Sequence, residues 1–254
     1  MKKLDNQIFQ DRRKSFLSKL DGKAAIIPGA KLVQHHADCE YPFRQESNFW
    51  YLTGFDEPDA IALFLSHKPI GERYILFVHP KDIESEVWNG FRWGTNGAEK
   101  VFKADKSHPI SDFEKELPNY LMGADEIVFS VGKYPEIEPI VLNLWAKQID
   151  NYSRIGRAPR AIQPPGIYLN QMRLIKSQYE IERMREAALI SAEAHELVRF
   201  NVSHKNNERQ IQGLLEGFFF ERGTRGPAYN TIAASGDNAC VLHYTANNSE
   251  LKKG

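Results

Sequence analysis

Apolar residues recur along this chain in two periods, and the switches between them outline a strand-and-helix layer followed by a pair of helices. In residues 5–20, Ile8, Phe9, Arg12, Phe16, Leu17 and Leu20 fall at roughly helical spacing, which predicts an amphipathic helix covering one side of a core. Ala24 to Pro28 is a short apolar strand closed by Pro28-Gly29. Phe49-Trp50-Tyr51, with Phe55 beyond, predicts a core-packed helical turn or strand ended by Gly54 and Pro58, since so many aromatics bury a large apolar area. Ile61 to Leu65 and Tyr74 to His79 are apolar runs separated by Lys68-Pro69-Ile70-Gly71, the pattern of an antiparallel strand pair. Asp82 to Trp88 reads as the first turns of an acidic helix, and Gly90, Gly94 and Gly97 read as a loop. Ser111 is the predicted N-cap of a helix within 107–122, with Phe113, Leu117, Tyr120 and Leu121 as its apolar face and Pro118 interrupting it. Glu126 to Val131 reads as a buried strand and Pro135 to Asp150 as a helix. This order predicts an α/β domain with a mixed sheet.

The pattern then changes. Residues 157–166 hold three prolines without periodicity, as a linker would. Ser177-Gln178-Tyr179-Glu180 is a capping box opening a helix with Ile181, Met184, Ala188, Ser191, His195 and Val198 on one face. A second helix follows, capped by Asn207, with Ile211, Leu214, Leu215, Phe218 and Phe219 inward and Gly223 at its end. Tyr229 to Ala234 and Ala239 to Tyr244 suit two strands joined at Gly236-Asp237-Asn238, a hairpin that would hold His243 on rigid backbone.

Composition narrows the function classes. The 254 residues are 42% hydrophobic and 26% charged, as in soluble globular proteins. Lys plus Arg and Asp plus Glu balance at 33 each, so no overall field favours nucleic acid or an anionic membrane. No run reaches membrane-span or signal-peptide length, and Cys39 and Cys240 are too few and too far apart for a disulfide framework or thiolate zinc site. A cytoplasmic location is the default expectation. No Gly-x-Gly-x-x-Gly follows any strand, which argues against a dinucleotide or P-loop site. Adjacent His35 and His36 point apart, so they read as a solvated loop rather than metal ligands. His195 reads as packed or hydrogen-bonded, and from its surroundings alone His243 is only an ordered histidine.

Three stretches carry a resemblance. Residues 227–245 contain Tyr229, Ile232, Gly236, Asn238, Leu242, His243 and Tyr244 at the fixed positions of the first catalytic-domain segment of pita-bread metallopeptidases, among them the aminopeptidase P family. Residues 41–60, including Arg44, Gln45 and Ser47, resemble the N-terminal domain of aminopeptidase P and prolidase, and residues 173–195 resemble the first helix of the pita-bread domain. Arg44, Gln45 and Ser47 are expected to form a structural hydrogen-bond set rather than act as catalysts. The resemblance implies an α/β N-terminal domain of the creatinase/aminopeptidase P type over 1–166, serving oligomerisation and gating. It implies an incomplete α+β pita-bread catalytic domain over 173–254.

It further implies hydrolysis of the bond before a penultimate proline, with His243 catalytic and Tyr229 and Trp88 contacting substrate. The Trp-x-Gly-x-Arg-x-Gly form of residues 88–94 resembles a loop that places its Trp at the active-site mouth of an adjacent subunit, so a homo-oligomer and a proline-containing peptide are the expected partners. Packing of Trp88 within its own chain is the competing reading. The implied cofactor is a pair of divalent metal ions, manganese, in the complete protein. Their ligands are expected beyond the hairpin, so this chain is expected to lack the metal site and be inactive alone. The alternatives are a prolidase, a creatinase-like hydrolase working without metal, or a non-catalytic N-terminal oligomerisation and binding fragment.

Overall fold

The computed structural model describes residues 6–252, without the side chains of Ser153 and Ile155. By its internal contacts the chain divides after Leu174 into two units.

The first unit opens with α1 (Asn6–Leu20), which buries Phe9, Arg12, Arg13, Phe16 and Leu20. β1 (Ala24–Pro28) follows, buried along its whole length. The chain then forms a two-stranded ribbon, β2 (Gln34–His36) and β3 (Cys39–Glu40), so the His35-His36 segment read as a solvated loop is exposed but paired. The aromatic run is helical: α2 (Ser47–Thr53) is capped by the Glu46 carboxylate, which accepts from the Asn48 and Phe49 N–H groups. Gly54 ends it in the left-handed region at φ 66°, returning its N–H to the Trp50 carbonyl.

β4 (Ile61–Leu65) and β5 (Tyr74–Val78) form the predicted antiparallel pair. After α3 (Ile83–Asn89), the glycine-rich stretch read as a loop instead enters α4 (Gly94–Lys100). Trp93 packs over Gly97, where a Cβ would lie 2.7 Å from the Trp93 Cβ, so a glycine inside the helix makes room for an indole. Residues 106–109, where the sequence reading assigned no strand, form edge strand β6 (Lys106–Pro109) parallel to β5. A 3-10 turn precedes α5 (Phe113–Leu121), so Ser111 is not its cap, and Pro118 lies inside this helix without ending it.

β7 (Ile127–Val128) is shorter than the predicted Glu126–Val131 strand. α6 (Glu138–Asp150) and a single turn, α7 (Tyr152–Ile155), lead to the proline-rich stretch. That stretch is not only a linker, because β8 (Ile162–Gln163) adds a parallel edge to β7 and α8 (Gly166–Leu174) belongs to the same unit. Prolines at 159, 164 and 165 flank the strand rather than occupy it, so its ladder keeps its donors.

The sheet is six-stranded and mixed, in the order β6-β5-β4-β1-β7-β8. Its central strands β1, β4 and β5 are buried on both faces, which explains their unbroken apolar runs. One face carries Ala25, Ile27, Phe64 and Leu76 against Phe16, Leu52 and Leu169. The other carries Ile26, Leu63, Ile75 and Phe77 against Phe113, Leu117, Leu121 and Val141. The unit is a three-layer α/β/α sandwich.

The second unit is built on α9 (Gln178–Asn201) and α10 (Glu208–Glu221), packed against each other. The Ser177–Glu180 capping box forms as predicted. The face of α9 that carries Ile181 to Val198 is only partly covered: Met184, Ala188 and His195 are exposed, and Ala194 is the buried residue of the helix.

Candidate functional site

The 227–245 stretch forms no hairpin. Gly236–Cys240 is a 3-10 turn, and Tyr229–Ala234 and Val241–Tyr244 carry no strand ladder. A strand is stable only with a partner ladder, and among the described residues of this unit the sole pairing is an isolated bridge between Asn207 and Glu250. Side chains hold the stretch instead, and most of them converge on the first turn of α10.

The centre of this arrangement is Glu208, 1% exposed. One carboxylate oxygen accepts from the Ser235 N–H at 2.8 Å, the Ser235 hydroxyl at 2.8 Å and the Asn238 amide at 3.3 Å. The other accepts from the Tyr244 hydroxyl at 2.7 Å and the Ser249 N–H at 2.9 Å. Burial by itself would raise the Glu208 pKa, but the hydrogen bonds from Tyr244, Ser249 and Ser235 outweigh it and hold the group down at about 2. Beside it Asn207 caps α10, accepting from the Arg209 N–H and donating to the Asn248 carbonyl at 3.0 Å.

A second anchor is Asn247, also 1% exposed, at φ 47°. Its Oδ1 accepts from the Ala233 N–H at 2.9 Å, while its amide donates to the Thr231 carbonyl at 2.8 Å and to Gln212 at 3.1 Å. Asn tolerates positive φ because its short polar side chain bonds locally.

His243 sits in an exposed turn between these anchors, closed by the Tyr244 N–H on the Val241 carbonyl at 3.3 Å. Leu242 beside it is 88% exposed, and Tyr229 at the other end of the stretch is 76% exposed. His195 is exposed and hydrogen-bonds the Ser191 carbonyl at 2.7 Å through Nδ1, in keeping with its structural reading.

Trp88 belongs to the first unit. It lies in the last turn of α3 with its side chain 87% exposed, alongside Ile83, Val87 and Phe91, so packing among the described residues does not account for it. The loop after it is fixed at its base: Glu57 accepts from the Trp93 N–H at 2.7 Å and Glu86 from the Arg92 N–H at 2.9 Å. Burial raises the Glu57 pKa, partly offset by the Trp93 N–H and the charge of Arg92. Of the expected structural set, Gln45 is buried and joins four backbone groups, those of Ala30, Glu46, Phe55 and Glu57. Arg44 is exposed, and the helix cap beside them is Glu46 rather than Ser47.

The chain matches the aminopeptidase P N-terminal domain over residues 9–129 and metallopeptidase family M24 over residues 182–254. This chain carries an aminopeptidase P N-terminal domain followed by metallopeptidase M24 sequence. It is 33% identical to the Xaa-Pro aminopeptidase of Escherichia coli K12 over 255 residues, covering 100% of this chain and 58% of that protein. Intermediate cleaving peptidase 55 of Saccharomyces cerevisiae is 30% identical, over 96% of this chain and 49% of that protein. Zinc-substituted E. coli aminopeptidase P in complex with product superposes at TM-score 0.91 and 33% identity, over 99% of this chain and 57% of that one. Pseudomonas aeruginosa aminopeptidase PepP gives TM-score 0.91 and 32% identity, over 100% and 57%. The chain thus spans 49–58% of the length of these relatives.

The M24 name implies divalent metal. No group of three or more His, Cys, Asp or Glu among the described residues could hold an ion. The described residues do not fit a metal pair. No described helix is long and apolar enough to cross a membrane.

Sequence reading missed Glu208, naming only its neighbour Asn207. The visible signal was an acid in the first turn behind an Asn cap, which favours the helix dipole. Its partners are 27 to 41 residues away and no local pattern announces them.

Proposed function

We propose that this chain is part of a Xaa-Pro aminopeptidase, which releases the N-terminal residue from peptides with a penultimate proline. The observation that carries the reading is the 33% identity to an Xaa-Pro aminopeptidase along the entire chain, across both family matches in the same order. In this reading His243 donates a hydrogen bond to the scissile carbonyl oxygen, where a donor aimed at developing charge acts mainly on turnover. Tyr229 contacts substrate. Divalent metal, manganese in the first instance, belongs to this reading of the whole protein and would be held by residues other than those described.

Trp88 is read as reaching the substrate of a neighbouring subunit in a homo-oligomer. Its support is the exposed apolar group of Ile83, Val87, Trp88 and Phe91, which favours a protein cover over water. A cytoplasmic location belongs to the same reading and is consistent with two exposed free thiols, Cys39 and Cys240.

The natural gene product, supplied with manganese, tests this on a Xaa-Pro-Xaa tripeptide and a Xaa-Pro dipeptide. Cleavage of the tripeptide with the dipeptide left intact is the expected result. Preferential cleavage of the dipeptide would replace the aminopeptidase reading with a prolidase. Hydrolysis of neither would return the chain to a binding or assembly role.

A further inference from the structure

We propose that Glu208 is a positioning residue for His243, tying the chain on both sides of the histidine to the first turn of α10. The inference rests on the reading of His243 given above.

The bonds to the carboxylate fall on either side of His243. Ser235 and Asn238 lie before it, and Tyr244 and Ser249 after it. The Tyr244 hydroxyl fixes the residue directly following the histidine, and Asn238, whose carbonyl accepts the Val241 N–H at 3.0 Å, fixes the turn directly preceding it. Apolar packing does little here: Val241 and Leu242 are exposed, and Ala233 is the buried apolar residue of the stretch. The polar anchors therefore decide where the turn lies.

The chemistry selects an acid. A carboxylate offers acceptor sites on both oxygens and no donor. A glutamine would keep one acceptor and turn an NH2 either towards the Ser235 N–H and Asn238 amide or towards the Ser249 N–H, donors that cannot accept it, so one of these sides loses its partner while the Ser235 and Tyr244 hydroxyls can turn to accept. Among the described residues no Lys or Arg forms an ion pair with Glu208. Its charge is met by neutral donors and by the N-terminal end of α10. Burying a charge in this way is unfavourable unless the bonds are complete, so the carboxylate is stable in one arrangement of the surrounding chain.

The experiment compares Glu208→Gln, Tyr244→Phe, their double variant and His243→Ala in the natural gene product, with tripeptide kinetics and amide hydrogen exchange on each. In Glu208→Gln, exchange at Ser235 or Ser249 should rise about 10-fold while amides in the middle of α10 stay within about twofold. Turnover should fall about 10-fold with KM within about twofold, and the double variant should lose no more than Glu208→Gln alone, since both act through one group. If Glu208→Gln does not fold, Tyr244→Phe and Ser235→Ala each remove one donor and should show the same pattern at about threefold.

Unchanged exchange at both serines overturns the proposal. So does faster exchange with unchanged kcat. His243→Ala tells the two failures apart: if its turnover is also normal, the reading of His243 has failed, and if its turnover collapses, that reading stands and Glu208 alone is removed from it.

Discussion

Glu208 and Gln45 show the same residue-scale logic in the two units: a buried polar side chain with every bond made, holding chain that no ladder holds. Gln45 makes four bonds to backbone groups around α2, and Glu208 accepts five around the His243 turn. Only the second carries a charge, so only the second links local order to pH. Its folded pKa is lowered from 4.5 to about 2. The stabilisation is therefore complete above about 4.5, declines as pH falls from there, and is gone below about 2. Exchange protection at Ser235 and Ser249 should weaken across that window in the wild type, after correction for intrinsic rates. In Glu208→Gln the same correction should leave a flat profile. A wild-type profile as flat as the variant's would show that the carboxylate does not stabilise the turn.

Elements were legible in the sequence wherever local signals and core packing agreed. The run of β1, β4 and β5 and the Ser177–Glu180 box were read correctly because apolar runs and caps are short-range patterns. Edges were not. β6 and β8 are short parallel strands whose existence depends on β5 and β7 accepting them, and neither Lys106–Pro109 nor Ile162–Gln163 carries an apolar run. The 229–244 hairpin failed for the converse reason, since its residues suit strands but no described strand of its unit pairs with them. Helix α2 shows how a single position closes an element. Gly54 combines φ 66° with the Phe9 ring, whose nearest carbon would lie 2.6 Å from an added Cβ. Gly54→Ala should therefore destabilise by about 2–4 kcal/mol, from left-handed strain plus displacement of a core ring. Gly71, at φ 89° with nothing within 4 Å, is the control, and Gly71→Ala should lose only about 1–2 kcal/mol. Urea midpoints at constant m read both, and equal losses would mean the Phe9 contact contributes nothing.

At the scale of the molecule the two units differ in what stabilises them. Both faces of the six-stranded sheet are covered by helices of the same unit, and both core clusters lie wholly between Phe16 and Leu169. Beyond Leu174 the buried apolar residues among those described are Ala194 and Ala233, and order there rests on polar anchors at Glu208 and Asn247. Polar bonds exchange water for protein partners and yield little net free energy each, whereas apolar burial scales with area. Residues 1–174 made alone should therefore unfold in one cooperative step, with m of about 1–3 kcal/mol per molar urea. Residues 175–254 made alone should keep helical circular dichroism from α9 and α10 but melt broadly, without a steep transition. A sharp transition in the second piece and a broad one in the first would reverse the assignment and place the stabilising core after Leu174. With the expected order, the sheet unit is a rigid base that carries α3 and Trp88, and the His243 turn depends for its geometry on the two buried polar anchors, Glu208 and Asn247.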